Sequence, residues 1–138
     1  GYRKTLEKHG YQLSEEKIRF GPFTIESGYQ IIKSLMETND PPDCAFCGND
    51  LIALGVFQYL VETGISVPEK FGLVGFDDVY FASLPQIQMT TVAQPRSQMG
   101  SMAVNTLIKR IENGSSSFVE HILLEPKLII RKSTRNYS

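Results

Sequence analysis

"VPEKFGLVGFDDVYFASLP", residues 67–85, runs an apolar strand, Leu73-Val74-Gly75-Phe76, straight into two adjacent carboxylates, Asp77 and Asp78. Asp is common where strands stop, so one reading is a solvated turn. The other is a ligand site at the carboxyl end of a parallel strand. Working outward decides which kind of sheet the strand belongs to. From Thr24 to Thr38 the apolar positions Ile25, Tyr29, Ile32, Leu35 and Met36 recur at helical spacing, and Glu26 suits a helix's first turn. Asp43-Cys-Ala-Phe-Cys-Gly48 is a short apolar run after Pro41-Pro42 and predicts a buried strand. Asn49 to Thr63 predicts a helix apolar over most of its circumference, ended by Gly64.

The alternation continues to both ends. Tyr2 to His9 predicts the end of a helix closed by Gly10, and Lys17-Ile-Arg-Phe20 a short strand. Met89 to Ala93 predicts a further strand and Met99 to Ile111 an amphipathic helix, followed by the loop Asn113-Gly-Ser-Ser-Ser117. His121 to Arg131 predicts a last extended run interrupted by Pro126. Strand–helix alternation with short connections implies an α/β fold, a parallel sheet flanked by helices on both faces. In such sheets ligands bind beyond the carboxyl ends of the strands. Asp77 and Asp78 sit at one such end, and Asn49 and Asp50 at another, so the two pairs are expected to share a rim. Asn49 also stands where a helix begins, so capping competes with ligand contact there, and capping is the expectation for Asp50.

Composition removes several classes of function. A chain of 138 residues is the size of one domain and can bury a core. Fourteen basic against fifteen acidic residues leave a net charge of −1, which supplies no general attraction to nucleic acid or membrane. No run approaches the length of about eighteen apolar residues that a membrane span requires. The opening Gly-Tyr-Arg-Lys-Thr-Leu-Glu-Lys lacks the apolar centre of a signal peptide. It begins without Met, in mid-helix, as a piece of a longer chain would. Cys44 and Cys47 invite a redox reading, but residues three apart on a strand face opposite sides of the sheet, so their sulfurs cannot meet. Two buried structural thiols, in a reducing cytoplasm, are the expectation.

The stretches "FCGNDLIALGVFQYLVETGISVPEKFGLVGFDD" (46–78), "LPQIQMTTVAQPRSQMG" (84–100) and "LLEPKLIIRKST" (123–134) together resemble the effector-binding region of the lactose/galactose repressor (LacI/GalR) family of bacterial transcription regulators. The match runs from Gly1 to Thr134. The resemblance implies a two-subdomain receptor of the periplasmic-binding-protein (type I) shape behind a DNA-binding helix-turn-helix. The helix-turn-helix, the hinge helix and most of the first subdomain have no counterpart here. It further implies that residues 1–93 form the C-terminal effector-binding subdomain, that 94–125 cross into the N-terminal subdomain, and that 126–138 return. Operator DNA would be contacted only through the missing N-terminal domain.

Carried over position by position, the resemblance implies that Asp77 binds effector hydroxyls, with Asn49, Phe23 and Gln94 around it. The chemistry suits a small sugar or related metabolite. A carboxylate accepts two hydroxyl bonds, an amide donates and accepts, and an aromatic face covers the apolar side of a ring. Phe23 as a core aromatic and Gln94 as a hinge residue are the competing readings, and Asp78 is expected to order the turn. Relatives dimerise through the 49–63 helix and the apolar stretch 79–84. A two-fold homodimer using Leu51, Val56, Tyr59, Tyr80, Phe81 and Leu84 is therefore expected, against the alternative that the helix is merely central to the core. A periplasmic or surface sugar-binding protein of the same fold is the alternative function.

Catalysis is not expected. His9 and His121 are remote from each other and from the aspartate turn, and no nucleophile motif accompanies them. There is no phosphate-binding glycine loop, no His/Cys spacing suited to zinc, and no cofactor signature.

Overall fold

In the computed structural model, residues 1–12, 14–113 and 121–135 are described. The loop expected at 113–117 lies outside them from Gly114 onward. Four strands form one sheet in the order β1-β2-β3-β4: β1 (Cys44–Phe46), β2 (Gly72–Phe76), β3 (Thr90–Ala93) and β4 (Lys127–Ile129). β1, β2 and β3 are parallel neighbours, with Ala45 opposite Leu73 and Gly75 opposite Thr91. β4 is antiparallel to β3, so the sheet is mixed rather than wholly parallel.

Helix α2 (Ile25–Met36) starts where the Thr24 side chain accepts the Ser27 N–H. Helix α3 (Asp50–Glu62) starts where Asn49 Oδ1 accepts the Ile52 N–H at 2.9 Å. These caps satisfy donors that would otherwise be orphaned at the helix ends. α3 lies on the sheet face that carries Leu73 and Gly75, and its Ala53, Val56 and Leu60 join Ile32, Phe71, Leu73 and Met89 in the buried core. α2 and α3 cross with their backbones in contact. A Cβ on Gly28 would stand 2.0 Å from the Ile52 carbonyl oxygen, and one on Gly55 only 1.9 Å from that of Ile25. Tyr29 closes one end of the crossing, donating to Glu62 Oε2 at 2.7 Å and meeting Tyr59 edge to face.

The opposite sheet face is less covered. Helix α1 (Tyr2–Lys8) stacks the Tyr2 ring on Phe46, yet Phe46 and Leu128 stay about half exposed. Helix α4 (Arg96–Asn113) buries none of its described side chains. A cavity of about 550 Å³, lined by Phe76, Gln94, Met99, Met102 and Leu124 among others, lies between α4 and the carboxyl end of the sheet.

Two expectations need correction. Lys17–Phe20 is not a strand: a 3₁₀ turn, Glu15–Lys17, gives way to irregular chain. Lys17 pairs instead with Asp40, and Arg19 bonds to the Glu16 carbonyl. β1 is therefore the sheet edge. Cys44, expected to be buried, is exposed on that edge, while Cys47 is in the core. Both thiols are free, as the strand geometry requires. Partial desolvation, then the Asp43 carboxylate, raise the Cys44 pKa, and burial pushes Cys47 up to about 12.

Candidate functional site

Three adjacent parallel strands end on the same rim. Asn49 follows β1, Asp77 follows β2 and Gln94 follows β3. Neighbouring strands are about 4.8 Å apart, which brings this row within reach of one small ligand. Gln94 Nε2 donates to Asp77 Oδ1 at 2.5 Å, so these two expected site residues are in direct contact. Asp77 is partly exposed and keeps its backbone in the ladder, its N–H donating to the Val92 carbonyl at 2.9 Å.

Phe23 is 67% exposed, which removes the core-aromatic reading. Its ring edge lies 3.7 Å from where a Cβ on Gly48 would stand, so it sits above the approach to Asn49. Asn49 itself is nearly buried and caps α3, as anticipated for one of its two roles. The cap uses only the side-chain oxygen, so the amide nitrogen is not consumed by it.

The turn after β2 is held in an unusual backbone conformation. Asp77 has φ 107° and Asp78 φ 51°, both in the region L-residues rarely adopt. Such positions cost about 1–3 kcal/mol each and persist where surroundings over-determine them. Here they do. The Asp78 N–H donates to Thr91 Oγ1, and Arg96 Nη2 donates to the Asp78 carbonyl at 2.9 Å. Arg131 Nη2 bonds to Asp78 Oδ1 at 2.6 Å while Arg131 Nη1 reaches the Met89 carbonyl. Asp78 thus orders the turn, as expected, and Asp77 is left pointing at Gln94.

Asp50 is the residue that sequence reasoning placed wrongly. It is no helix cap: it is 1% exposed, accepts from Thr91 Oγ1 at 2.6 Å and accepts the Val79 N–H at 2.8 Å. A local capping pattern outranked it because its partners lie 29 and 41 residues away. The one available signal was a carboxylate at the first position of a mostly apolar helix.

Of the expected dimer residues, Val56 is corrected outright. It is 3% exposed and belongs to this chain's own core. Tyr80 is 82% exposed and Leu51 38%, while Tyr59, Phe81 and Leu84 are partly covered. His9 and His121 are both exposed, and the described residues contain no cluster of His, Cys, Asp and Glu arranged to hold a metal. No described helix is long and apolar enough to cross a membrane.

Residues 1–134 match the model of the periplasmic binding protein-like domain. The chain is 32% identical over 138 residues to the HTH-type transcriptional repressor PurR of Haemophilus influenzae strain PittEE, covering 99% of this chain and 41% of that protein. It is 31% identical to the ribose operon repressor of Haemophilus influenzae, over 96% of this chain and 40% of that one. A solved complex of the transcriptional regulator CelR with cellobiose superposes with a TM-score of 0.88 at 32% identity, covering 96% of this chain and 40% of that one. The chain thus spans about two-fifths of the length of these relatives. By the match along residues 1–134, the chain belongs to the periplasmic binding protein-like domain family, in the form carried by LacI-type regulators.

Proposed function

We propose that residues 1–138 are the effector-binding and dimerising part of a LacI-type transcription regulator, and that Asp77 reads the hydroxyls of a small sugar-like metabolite. The observation that carries this reading is the Asp77–Gln94 contact on the carboxyl rim of the parallel strands, on a turn held at φ 107°. The Gln94 amide bonds to one Asp77 oxygen. An effector hydroxyl replaces that bond or joins it at the second oxygen, with the exposed Phe23 ring available to one sugar face. The reading is further supported by relatives whose names refer to ribose and cellobiose.

Residues 1–93 and 126–138 act as one subdomain, and 94–125 as the segment that meets the other. Effector alters the relation between the two by its differential affinity for their arrangements. DNA is read by a helix-turn-helix elsewhere in the protein, in the cytoplasm, and no catalytic step is involved. The two-fold partner packs on Tyr80, Leu51, Tyr59, Phe81 and Leu84.

Calorimetry of the full-length regulator with ribose, cellobiose and purine probes tests the site. Asp77→Ala removes a charged hydrogen-bond acceptor and is expected to cost on the order of 1.5–3 kcal/mol of binding, with the fold retained. Unchanged affinity would remove Asp77 from the site. Light scattering tests the dimer; a monomer at micromolar concentration would end that part of the reading.

A further inference from the structure

We infer that Asp50 is a positioning residue for the effector turn: its buried carboxylate sets the backbone from Asp77 to Val79 in the geometry that presents Asp77. The inference rests on the reading of Asp77 as the effector contact, and it concerns a side chain that itself faces away from the rim. Asp50 is 1% exposed, and both its oxygens are committed to the turn or its support. Oδ2 accepts the Val79 N–H at 2.8 Å. Oδ1 accepts the Thr91 hydroxyl at 2.6 Å, and that same hydroxyl accepts the Asp78 N–H at 3.3 Å. Two successive amides of the turn are thus fixed by one carboxylate, one directly and one through Thr91.

A buried carboxylate is costly unless its lone pairs are satisfied, and hydrogen bonds to a charged group are among the stronger ones. The bonds that compensate the burial of Asp50 are therefore the bonds that hold the turn. Gly75 gives an independent sign of the same arrangement. A Cβ there would lie 2.1 Å from Asp50 Oδ1, so β2 carries glycine because the carboxylate occupies the space where a side chain would go. The Asn-Asp pair and the Gly-Phe-Asp-Asp turn are consequently one device, with Asn49 starting the helix and Asp50 reaching across to shape the neighbouring strand's end.

The geometry yields a test with two arms on the full-length protein. In hydrogen exchange, the Val79 amide should be protected in the wild type and lose protection in Asp50→Ala, while the amides of β2 keep theirs. In calorimetry with ribose and cellobiose, Asp50→Asn and Thr91→Val should each weaken the probe that binds by about tenfold or more. Thr91→Ser, which keeps the hydroxyl, should restore affinity to near the wild-type value. A purely structural role would lower the melting temperature of Thr91→Val and leave probe affinity in the folded protein unchanged. Val79 protection that survives in Asp50→Ala overturns the inference, as does unaltered affinity in both Asp50→Asn and Thr91→Val. If instead Asp77→Ala leaves affinity unchanged, the reading of the effector site fails, and the exchange arm still decides whether Asp50 holds the turn.

Discussion

Helices α3 and α4 both carry apolar side chains, but they differ in how those side chains are covered. α3 buries Asp50, Ala53, Gly55, Val56 and Leu60, and its glycine lies against the backbone of α2. α4 is longer, yet Met99, Val104, Leu107, Ile108 and Ile111 are between 44% and 73% exposed. Gly100 in α4 has nothing within 4 Å of where a Cβ would stand. The difference teaches that an apolar stripe predicts a need for a partner and not its presence. α3 finds its partner within the chain. α4 leaves its apolar side chains largely uncovered among the described residues.

The comparison breaks most readily at the crossing glycines. Gly55→Val inserts a branched side chain where not even a Cβ fits, and is expected to cost about 3 kcal/mol, measured as a lowered urea midpoint. An equally small effect at Gly55 and Gly100 would mean that α2 and α3 do not touch. The next test sharpens the contrast. Leu107→Ser should shift stability by no more than about 0.5 kcal/mol in residues 1–138 alone. In the full-length protein it should cost about 2 kcal/mol if another subdomain covers the stripe. Equal small effects in both would show that nothing covers α4. Gly100→Ala should then stabilise by about 0.5–1 kcal/mol, since α4 gains a better helix former without a clash.

The smallest expected effect compares the two cysteines. At pH 8 a thiol reagent should modify exposed Cys44 slowly and reach Cys47 only on unfolding. Because burial raises the Cys47 pKa from 9.0 to about 12, the unfolded thiol ionises first. Its contribution to stability is therefore full below pH 9 and is lost as pH rises toward 12. Equal modification rates in the folded protein would contradict the burial of Cys47.

Local signals were the ones legible in advance. β2, Gly72–Phe76, contains the expected run Leu73–Phe76, because a short apolar run between a glycine and a carboxylate pair leaves little choice. Asn49 caps α3 and Gly64 ends it at φ 69°, as residue type alone suggests. What escaped notice depends on partners distant in the chain. Lys17–Phe20 has strand-like alternation but no ladder partner in the described structure, and pattern cannot supply one. The backbone contact of Gly28 with α3, the commitment of Val56 to the core and the reach of Asp50 to Val79 all arise only once helices pack. Within the candidate site, residue types were readable from the family pattern. The bond between Gln94 and Asp77, and the apparatus that holds Asp78, were not.

Ser133 adds a matter of timing. Its hydroxyl donates to the Leu73 carbonyl at 2.5 Å and accepts the Thr90 N–H at 2.8 Å, and its own carbonyl accepts from the Leu73 N–H. Together with Arg131 on Asp78, it ties β2 and β3 with residues synthesised 43 to 60 positions later. Domains begin to fold N-terminus first as the chain emerges, and contacts so far apart form late. During synthesis the turn therefore has Asp50, Thr91 and Arg96 available before Arg131 and Ser133 emerge. A nascent chain stalled before Arg131 would lack the ion pair on Asp78 and the Ser133 ties across β2 and β3.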